Sequence, residues 1–149
     1  MERHEMVMEE PGIEVRLVGV WDVETIAGLY RAGGWWDEKW DPAGLAALIA
    51  GSFAFAVAID SATGRAVGMG RVISDGVSDG YVQDLVVLPD YRGRGTGTMI
   101  LSTLLEHCKS EGVTWVALVA EPGTEEFYTA LGFRRMEGHV PMRWYPQDW

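Results

Sequence analysis

The run Asp84-Leu85-Val86-Val87-Leu88-Pro89-Asp90-Tyr91-Arg92-Gly93-Arg94-Gly95-Thr96-Gly97 carries the strongest chemical signal in the chain. An apolar, strand-like segment enters a turn with glycines at alternate positions, and the turn opens directly into an amphipathic helix. Glycine has no Cβ to hold a ligand away from the backbone. The start of a helix presents N–H groups without intrahelical partners and the positive end of the helix dipole. Arg92 and Arg94 add positive charge suited to phosphate oxygens. The chemistry this suggests is the cradling of a phosphate or diphosphate. A tight strand-to-helix connection is the plainer alternative for an isolated Gly-x-Gly. Two familiar phosphate loops are absent: there is no G-x-G-x-x-G, and no Gly-Lys-Ser/Thr follows the turn. The pattern that remains is Arg-x-x-Gly-x-Gly.

Other groups are less decisive by themselves. Tyr128, in Phe127-Tyr128, is either a core tyrosine of an amphipathic helix or a phenol with a mobile proton, and spacing alone favours the core. The segment Gly33-Gly34-Trp35-Trp36-Asp37-Glu38-Lys39-Trp40 sets three tryptophans beside two acids. Aromatic faces next to carboxylates suit an organic cation. The same rings equally suit anchoring the loop to the core or a dimer contact. Cys108 falls on the apolar face of a helix and reads as a buried structural thiol. His4, His107 and His139 share no metal-ligand spacing, so no metal is expected.

The glycine turn and the tyrosine together carry a resemblance. Leu85-Val86-Val87-x-Pro-x-Tyr-Arg-Gly-Arg-Gly-Thr-Gly resembles the signature of the GNAT (Gcn5-related N-acetyltransferase) superfamily. Glu126-Phe127-Tyr128-x-x-Leu131-Gly132-Phe133 is similar to that family's later helix and strand start. Both lie between Tyr81 and Phe133, about a third of the chain.

The resemblance implies an α/β fold with a mixed, mainly antiparallel central sheet splayed in a V, flanked by about four helices. It implies acetyl-CoA in the gap and transfer of its acetyl group to a primary amine, here of a small molecule. The diphosphate falls to the backbone amides of Gly93, Arg94, Gly95, Thr96, Gly97 and Thr98, with Arg92 and Arg94 flanking. Leu85, Val86 and Val87 match the strand whose backbone pairs with the pantetheine arm, and the Val87 amide would meet the thioester oxygen. Tyr128 matches the general acid that protonates the departing thiolate. Asp84 is the candidate base, often acting through water in the family, and Gln83 stands where some relatives carry Glu. That departure leaves the base open: Asp84 takes the proton, binds the ammonium, or only bonds to nearby backbone. Asp37 and Glu38 are weaker candidates. Trp35, Trp36 and Gln83 fall to the acceptor side. A homodimer is also implied, with Trp144, Tyr145 and Trp149 as contact residues. The rival functions are an acyl-CoA-binding sensor without catalysis and an acetyltransferase for protein or peptide N-termini.

The elements needed to position these groups follow from periodicity. Ile13 to Val20 reads as a strand. Asp22 caps a helix through Tyr30 that Gly33-Gly34 ends, and Asp41-Pro42 starts a second helix that Gly51 stops. Phe53 to Ile59 alternates large residues with alanine, giving a strand with one bulky and one tight face. Arg65 to Ile73 and Tyr81 to Leu88 return as strands through polar turns. The helix after the glycine turn buries Ile100, Leu101, Leu104, Leu105 and Cys108. Thr114 to Ala120 reads as a central strand covered on both faces. Pro122 opens a helix that Gly132 stops, and Phe133 to Met136 and Pro141 to Tyr145 are the last strand candidates.

With 149 residues and no linker or repeat, residues 1–149 are expected to form one domain, with 1–11 a loose tail. The formal net charge of −10 argues against nucleic acid and is compatible with a cationic acceptor. No apolar stretch approaches the roughly 18 residues a membrane helix needs. A single cysteine and the absence of an apolar leader point to a cytoplasmic setting.

Overall fold

The computed structural model describes residues 8–10 and 12–147. The chain divides into two compact units, Met1–Leu118 and Val119–Trp149.

The first unit holds a six-stranded sheet in sequence order: β1 (Met8–Glu10), β2 (Ile13–Leu17), β3 (Ala54–Asp60), β4 (Arg65–Ser74), β5 (Asp79–Val87) and β6 (Trp115–Ala117). Every neighbouring pair is antiparallel except β5–β6, which is parallel. Helices α1 (Val23–Gly33) and α2 (Leu45–Gly51) connect β2 to β3, and α3 (Thr96–Ser110) connects β5 to β6. Asp22 caps α1 by accepting the Thr25 N–H at 2.9 Å, and Gly34 ends it with φ of 80°. Asp41 caps a 3₁₀ turn at Pro42–Gly44 that leads into α2.

The alternation in β3 assigns the two faces of the sheet. Phe55, Val57 and Ile59 join Ile26, Leu29 and Tyr30 of α1, Leu45 and Ile49 of α2, and Met69 and Val86 in one buried cluster. Burying side chains of this size stabilises by about 1.5–3 kcal/mol each, so this layer is a large part of the unit's stability. On the opposite face Ala56 pairs with Gly70 and Ala58 with Gly68. Those small residues let α3 lie close: a Cβ on Gly70 would meet Ile100 Cγ2 at 3.0 Å and Leu104 Cδ1 at 3.2 Å.

The parallel ladder between β5 and β6 runs only from Asp79↔Trp115 to Tyr81↔Ala117. Beyond Tyr81, β5 continues to Val87 while β6 ends, so the sheet splays there. This corrects the reading of Thr114 to Ala120 as a central strand. Its strand is three residues at the sheet edge, and Trp115 is 54% exposed. The run is apolar, but its neighbour diverges before a long ladder can form. The strand from Ile13 ends at Leu17 rather than Val20. Met8–Glu10, read as part of a tail, pair with β2; residues 1–7 and 11 lie outside the described residues.

The second unit contains α4 (Glu125–Thr129), shorter than the helix expected from Pro122. Gly132, with φ of 99°, turns the chain after it, and Arg135 Nη2 pairs with Glu125 at 2.7 Å. The strands expected at 133–136 and 141–145 do not form among the described residues. Strand-like residue types make no strand without a partner to close a ladder.

Candidate functional site

The edge of β5 is set by a bulge. Met69 pairs with Val86, yet Arg71 pairs with Gln83, so Gly70 faces both Asp84 and Leu85. Asp84 has φ of 61° and is the one non-glycine residue with positive φ among the described residues. Such a backbone costs roughly 1–3 kcal/mol, and Asp tolerates it better than most residues. Past the bulge, the Leu88 N–H donates to the Val67 carbonyl at 2.8 Å. Antiparallel pairs alternate between bonded and non-bonded, so the Gly68↔Val87 pair is non-bonded. The N–H and C=O of Val87 therefore point away from β4, toward the splayed edge. Its carbonyl accepts from Arg92 Nε at 2.9 Å.

The turn beyond β5 is anchored at several points. A 3₁₀ turn at Pro89–Tyr91 brings the Tyr91 hydroxyl to Asp60 Oδ2 at 2.6 Å, tying it to the end of β3. Hydrogen bonding from Tyr91 is the leading reason the Asp60 carboxyl lies below its usual range. Gly93 and Gly95 have φ of 76° and 79°, and Gly95 caps α3. The first backbone bond into α3 is Met99 N–H to Gly95 C=O at 3.0 Å. The amides from Gly93 to Thr98 are thus left without backbone acceptors. Thr96 is buried, and its hydroxyl has no hydrogen-bond partner. A Cβ on Gly93 would project into open space.

Free amides, left-handed glycines and an orphaned hydroxyl fit a diphosphate. The arginines differ from the expectation of side chains free for phosphate. Arg92 holds Val87, while Arg94 Nη2 donates to the Asp90 carbonyl at 3.2 Å and lies 5.2 Å from the centre of the Tyr91 ring. Both stiffen the turn, and the amides are its open donors.

A second cluster lies at the bulge. Asp84 Oδ2 accepts from the Tyr30 hydroxyl and from Arg71 Nε, both at 2.7 Å. Arg71 Nη2 also donates to Gln83 Oε1 at 3.0 Å. The Arg71 and Asp84 side chains are each 15% exposed, so the pair is largely shielded from water. Burial, then the Asp84 carboxylate, pushes the Tyr30 phenol well above its ordinary value.

The Tyr30 ring stands 6.4 Å from both Trp35 and Trp36, and Trp36 stands edge-on to Trp40 at 5.4 Å. Trp35 and Trp36 are half-buried against the α1–β3 core. A Cβ on Gly33 would strike the Trp35 ring at 2.5 Å, so glycine there lets the indole lie across the helix end. The structure thus connects Trp35 and Trp36 to Asp84 through Tyr30. Asp37 and Glu38 have local partners: Asp37 accepts the Lys39 N–H at 2.9 Å, and Glu38 accepts from Arg31 Nε at 2.7 Å.

In the second unit, Tyr128 sits on α4 between Phe127 and Phe133, with ring centres 5.0 and 5.8 Å away. It is half-buried, and its carbonyl accepts the Leu131 and Phe133 N–H groups. Burial, then the Glu121 carboxylate, raises its phenol above the ordinary range.

Cys108 is buried, which raises its thiol. The His107 ring lies tilted 5.0 Å from that of Phe53, and His139 Nδ1 lies 3.2 Å from the Glu137 carbonyl. Among the described residues no group of three or more His, Cys, Asp and Glu could hold a metal. His4 and Trp149 lie outside the described residues. Sequence reasoning missed Tyr30 and Arg71. Arg71 had a readable signal, a cation inside an otherwise apolar strand; Tyr30 looked like any core-facing helix residue.

The family model described as acetyltransferase (GNAT) family matches residues 19–133. Serotonin N-acetyltransferase 2, chloroplastic, of Oryza sativa subsp. japonica is 40% identical over 73 residues, covering 49% of this chain and 36% of that protein. A GNAT family acetyltransferase of Streptococcus pneumoniae TIGR4 superposes with a TM-score of 0.75 at 28% identity, covering 91% of this chain and 98% of the other. AAC(6')-Iy, solved with the bisubstrate analogue CoA-S-monomethyl-acetylneamine, superposes with a TM-score of 0.68 at 22% identity, covering 90% and 99%. That last likeness is one of fold. The chain aligns with about half the length, or less, of the curated relatives it matches.

Proposed function

The chain belongs to the GNAT family of acetyltransferases, and from that premise we propose that it moves an acetyl group from acetyl-CoA to the primary amine of a small molecule. One observation carries the reading. The outward Val87 amide and the unpartnered amides from Gly93 to Thr98 belong to one continuous strand, turn and helix start. A thioester linked by an amide-bearing arm to a diphosphate presents acceptors in that same order. Leu85, Val86 and Val87 supply strand backbone to the arm, and the amides of Gly93, Arg94, Gly95, Thr96, Gly97 and Thr98 hold the diphosphate, with Arg92 and Arg94 flanking. A neighbour of the same fold solved with a CoA-containing analogue supports this assignment.

In the reaction the amine nitrogen bonds to the thioester carbon, and the carbon–sulfur bond breaks. The Val87 N–H meets the carbonyl oxygen as negative charge develops on it. Tyr128 gives its phenolic proton to the departing sulfur. Burial and the Glu121 carboxylate raise this phenol, which holds its proton at neutral pH as any phenol does. The acceptor arrives as an ammonium and must lose a proton. Both protein donors on Asp84 fall on Oδ2, and we assign Oδ1 to receive that proton through water. Trp35, Trp36 and Gln83 line the acceptor side, and the serotonin relative supports an amine in that role.

A homodimer belongs to the same proposal, with exposed Trp144 and Tyr145 as the surface to test by sedimentation. No helix of the described residues is long and apolar enough to cross a membrane. A cytoplasmic setting is proposed on the single, buried cysteine, whereas the rice relative is named as chloroplastic. The test is release of free thiol from acetyl-CoA across a panel of small amines and one peptide N-terminus. Release with a small amine is the expected result. Tight acetyl-CoA binding without release from any acceptor would replace the enzyme with a sensor.

A further inference from the structure

We propose that Tyr30 and Arg71 are positioning residues that act through Asp84, locking the β5 bulge that decides which backbone amide the open edge presents. The inference rests on the functional reading only for the identity of the ligand along that edge.

The register supplies the argument. On the near side of the bulge Arg71 pairs with Gln83 and Val72 with Val82; on the far side Met69 pairs with Val86 and Gly68 with Val87. Without the extra residue Met69 would pair with Leu85 and Gly68 with Val86. A one-residue slip reverses every residue beyond it. Val87 would turn its N–H toward β4 and Val86 would turn its own outward. Val86, now buried beside Met69 in the α1–β3 core, would leave that face. The amide expected to meet the thioester oxygen is therefore a product of the bulge.

The bulge needs Asp84 in a left-handed conformation that β-strand residues avoid. Nothing in the local sequence enforces it, since the residue is not glycine. The restraint comes from two elements on one face of the sheet. Tyr30 reaches from α1 and Arg71 from β4, both to Oδ2. The second arm of the same guanidinium holds Gln83 Oε1, so one planar fork grips consecutive residues on the near side of the bulge. Low exposure of the ion pair keeps water from loosening it.

The test uses the full chain, with backbone amide exchange followed in the absence of ligand and acetyl-CoA affinity measured by calorimetry. In the wild type, the Val87 amide should exchange faster than the Val86 amide. Arg71→Gln should shrink that contrast and weaken acetyl-CoA binding about tenfold, as release of the strained bulge implies. Tyr30→Phe, which removes only one hydroxyl, should do the same to a smaller degree and keeps the test open should Arg71→Gln fail to fold. Asp84→Asn should keep both the contrast and the affinity, because Asn tolerates positive φ and its carbonyl accepts both donors. Val15→Ala, a core truncation in β2 outside the cluster that holds Tyr30 and Val86, should lower the melting temperature and leave affinity unchanged.

An unchanged Val86/Val87 contrast in both Arg71→Gln and Tyr30→Phe would overturn the clamp. So would Asp84→Asn binding as weakly as Arg71→Gln with its contrast intact, since Asp84 would then act by charge on the ligand. A wild type that shows the contrast but binds no acetyl-CoA would overturn the functional reading and leave the clamp standing.

Discussion

Between Val87 and Thr98 the groups available to a ligand are backbone amides, whereas around the bulge the working groups are the side chains of Tyr30, Arg71, Gln83 and Asp84. The first region is built from neighbours in sequence. The second draws together α1, β4 and β5. A backbone site tolerates change in its side chains and fails when its φ angles change. A side-chain clamp fails when one donor or acceptor is removed, because its remaining polar groups stay partly buried without partners. The proposed function follows the same contrast: binding is assigned to a surface of amides, and proton transfer to the side chains of Tyr128 and Asp84.

The largest effect should come where chemistry depends on one side chain. Tyr128→Phe should lower the acetyl-transfer rate by about 10²–10⁴-fold, the usual worth of a positioned acid. Acetyl-CoA affinity, measured by titration, should hold. Equal loss of rate and affinity would blur the division between binding backbone and reacting side chain.

In the cradle, Gly95→Ala should weaken acetyl-CoA binding and destabilise the fold by about 1–2 kcal/mol, because a Cβ is disfavoured at φ of 79°. Arg94→Ala should cost less affinity, since that guanidinium is spent on the Asp90 carbonyl and the Tyr91 ring. An arginine effect larger than the glycine effect would make the cradle a side-chain site after all.

The floor beneath both regions is testable through Gly70→Ala. The added methyl would press on Ile100, Leu104 and Leu85, at a cost of about 1–3 kcal/mol in chemical denaturation. Acetyl-CoA affinity should change less than with Gly95→Ala.

The smallest effect concerns pH. The Tyr30 phenol is raised in the folded chain, so the unfolded chain loses that proton first as pH rises. Its stabilising contribution is complete below about pH 10, the ordinary phenol value, and is lost as pH climbs beyond it. Denaturation midpoints measured between pH 8 and 11 (about one unit beyond the ordinary value) should fall at the alkaline end. The fall should be shallower in Tyr30→Phe.

Much of the fold was legible because its signals are local. Asp22, Gly34 and Asp41 mark helix ends by their own geometry, and the Phe/Ala alternation of β3 assigns two faces to one sheet. The glycine turn was legible for the same reason: spacing within one short run determines where amides are bared. The apolar run after Val113 misled because a strand depends on its neighbour as much as on itself. The neighbour, β5, parts from β6 after Tyr81. Likewise 133–136 and 141–145 form no ladder among the described residues.

By itself the sequence determined the family, the α/β order of elements, and the amides from Gly93 to Thr98 as those bared at a strand-to-helix turn, all properties of contiguous residues. Tertiary structure decided the state of Asp84. Its left-handed backbone and its two donors come from Tyr30 and Arg71, distant in the chain and adjacent only after α1 packs on the sheet. It also decided that Val87 rather than Val86 faces the open edge, because register is a relation between two strands and is written in neither alone.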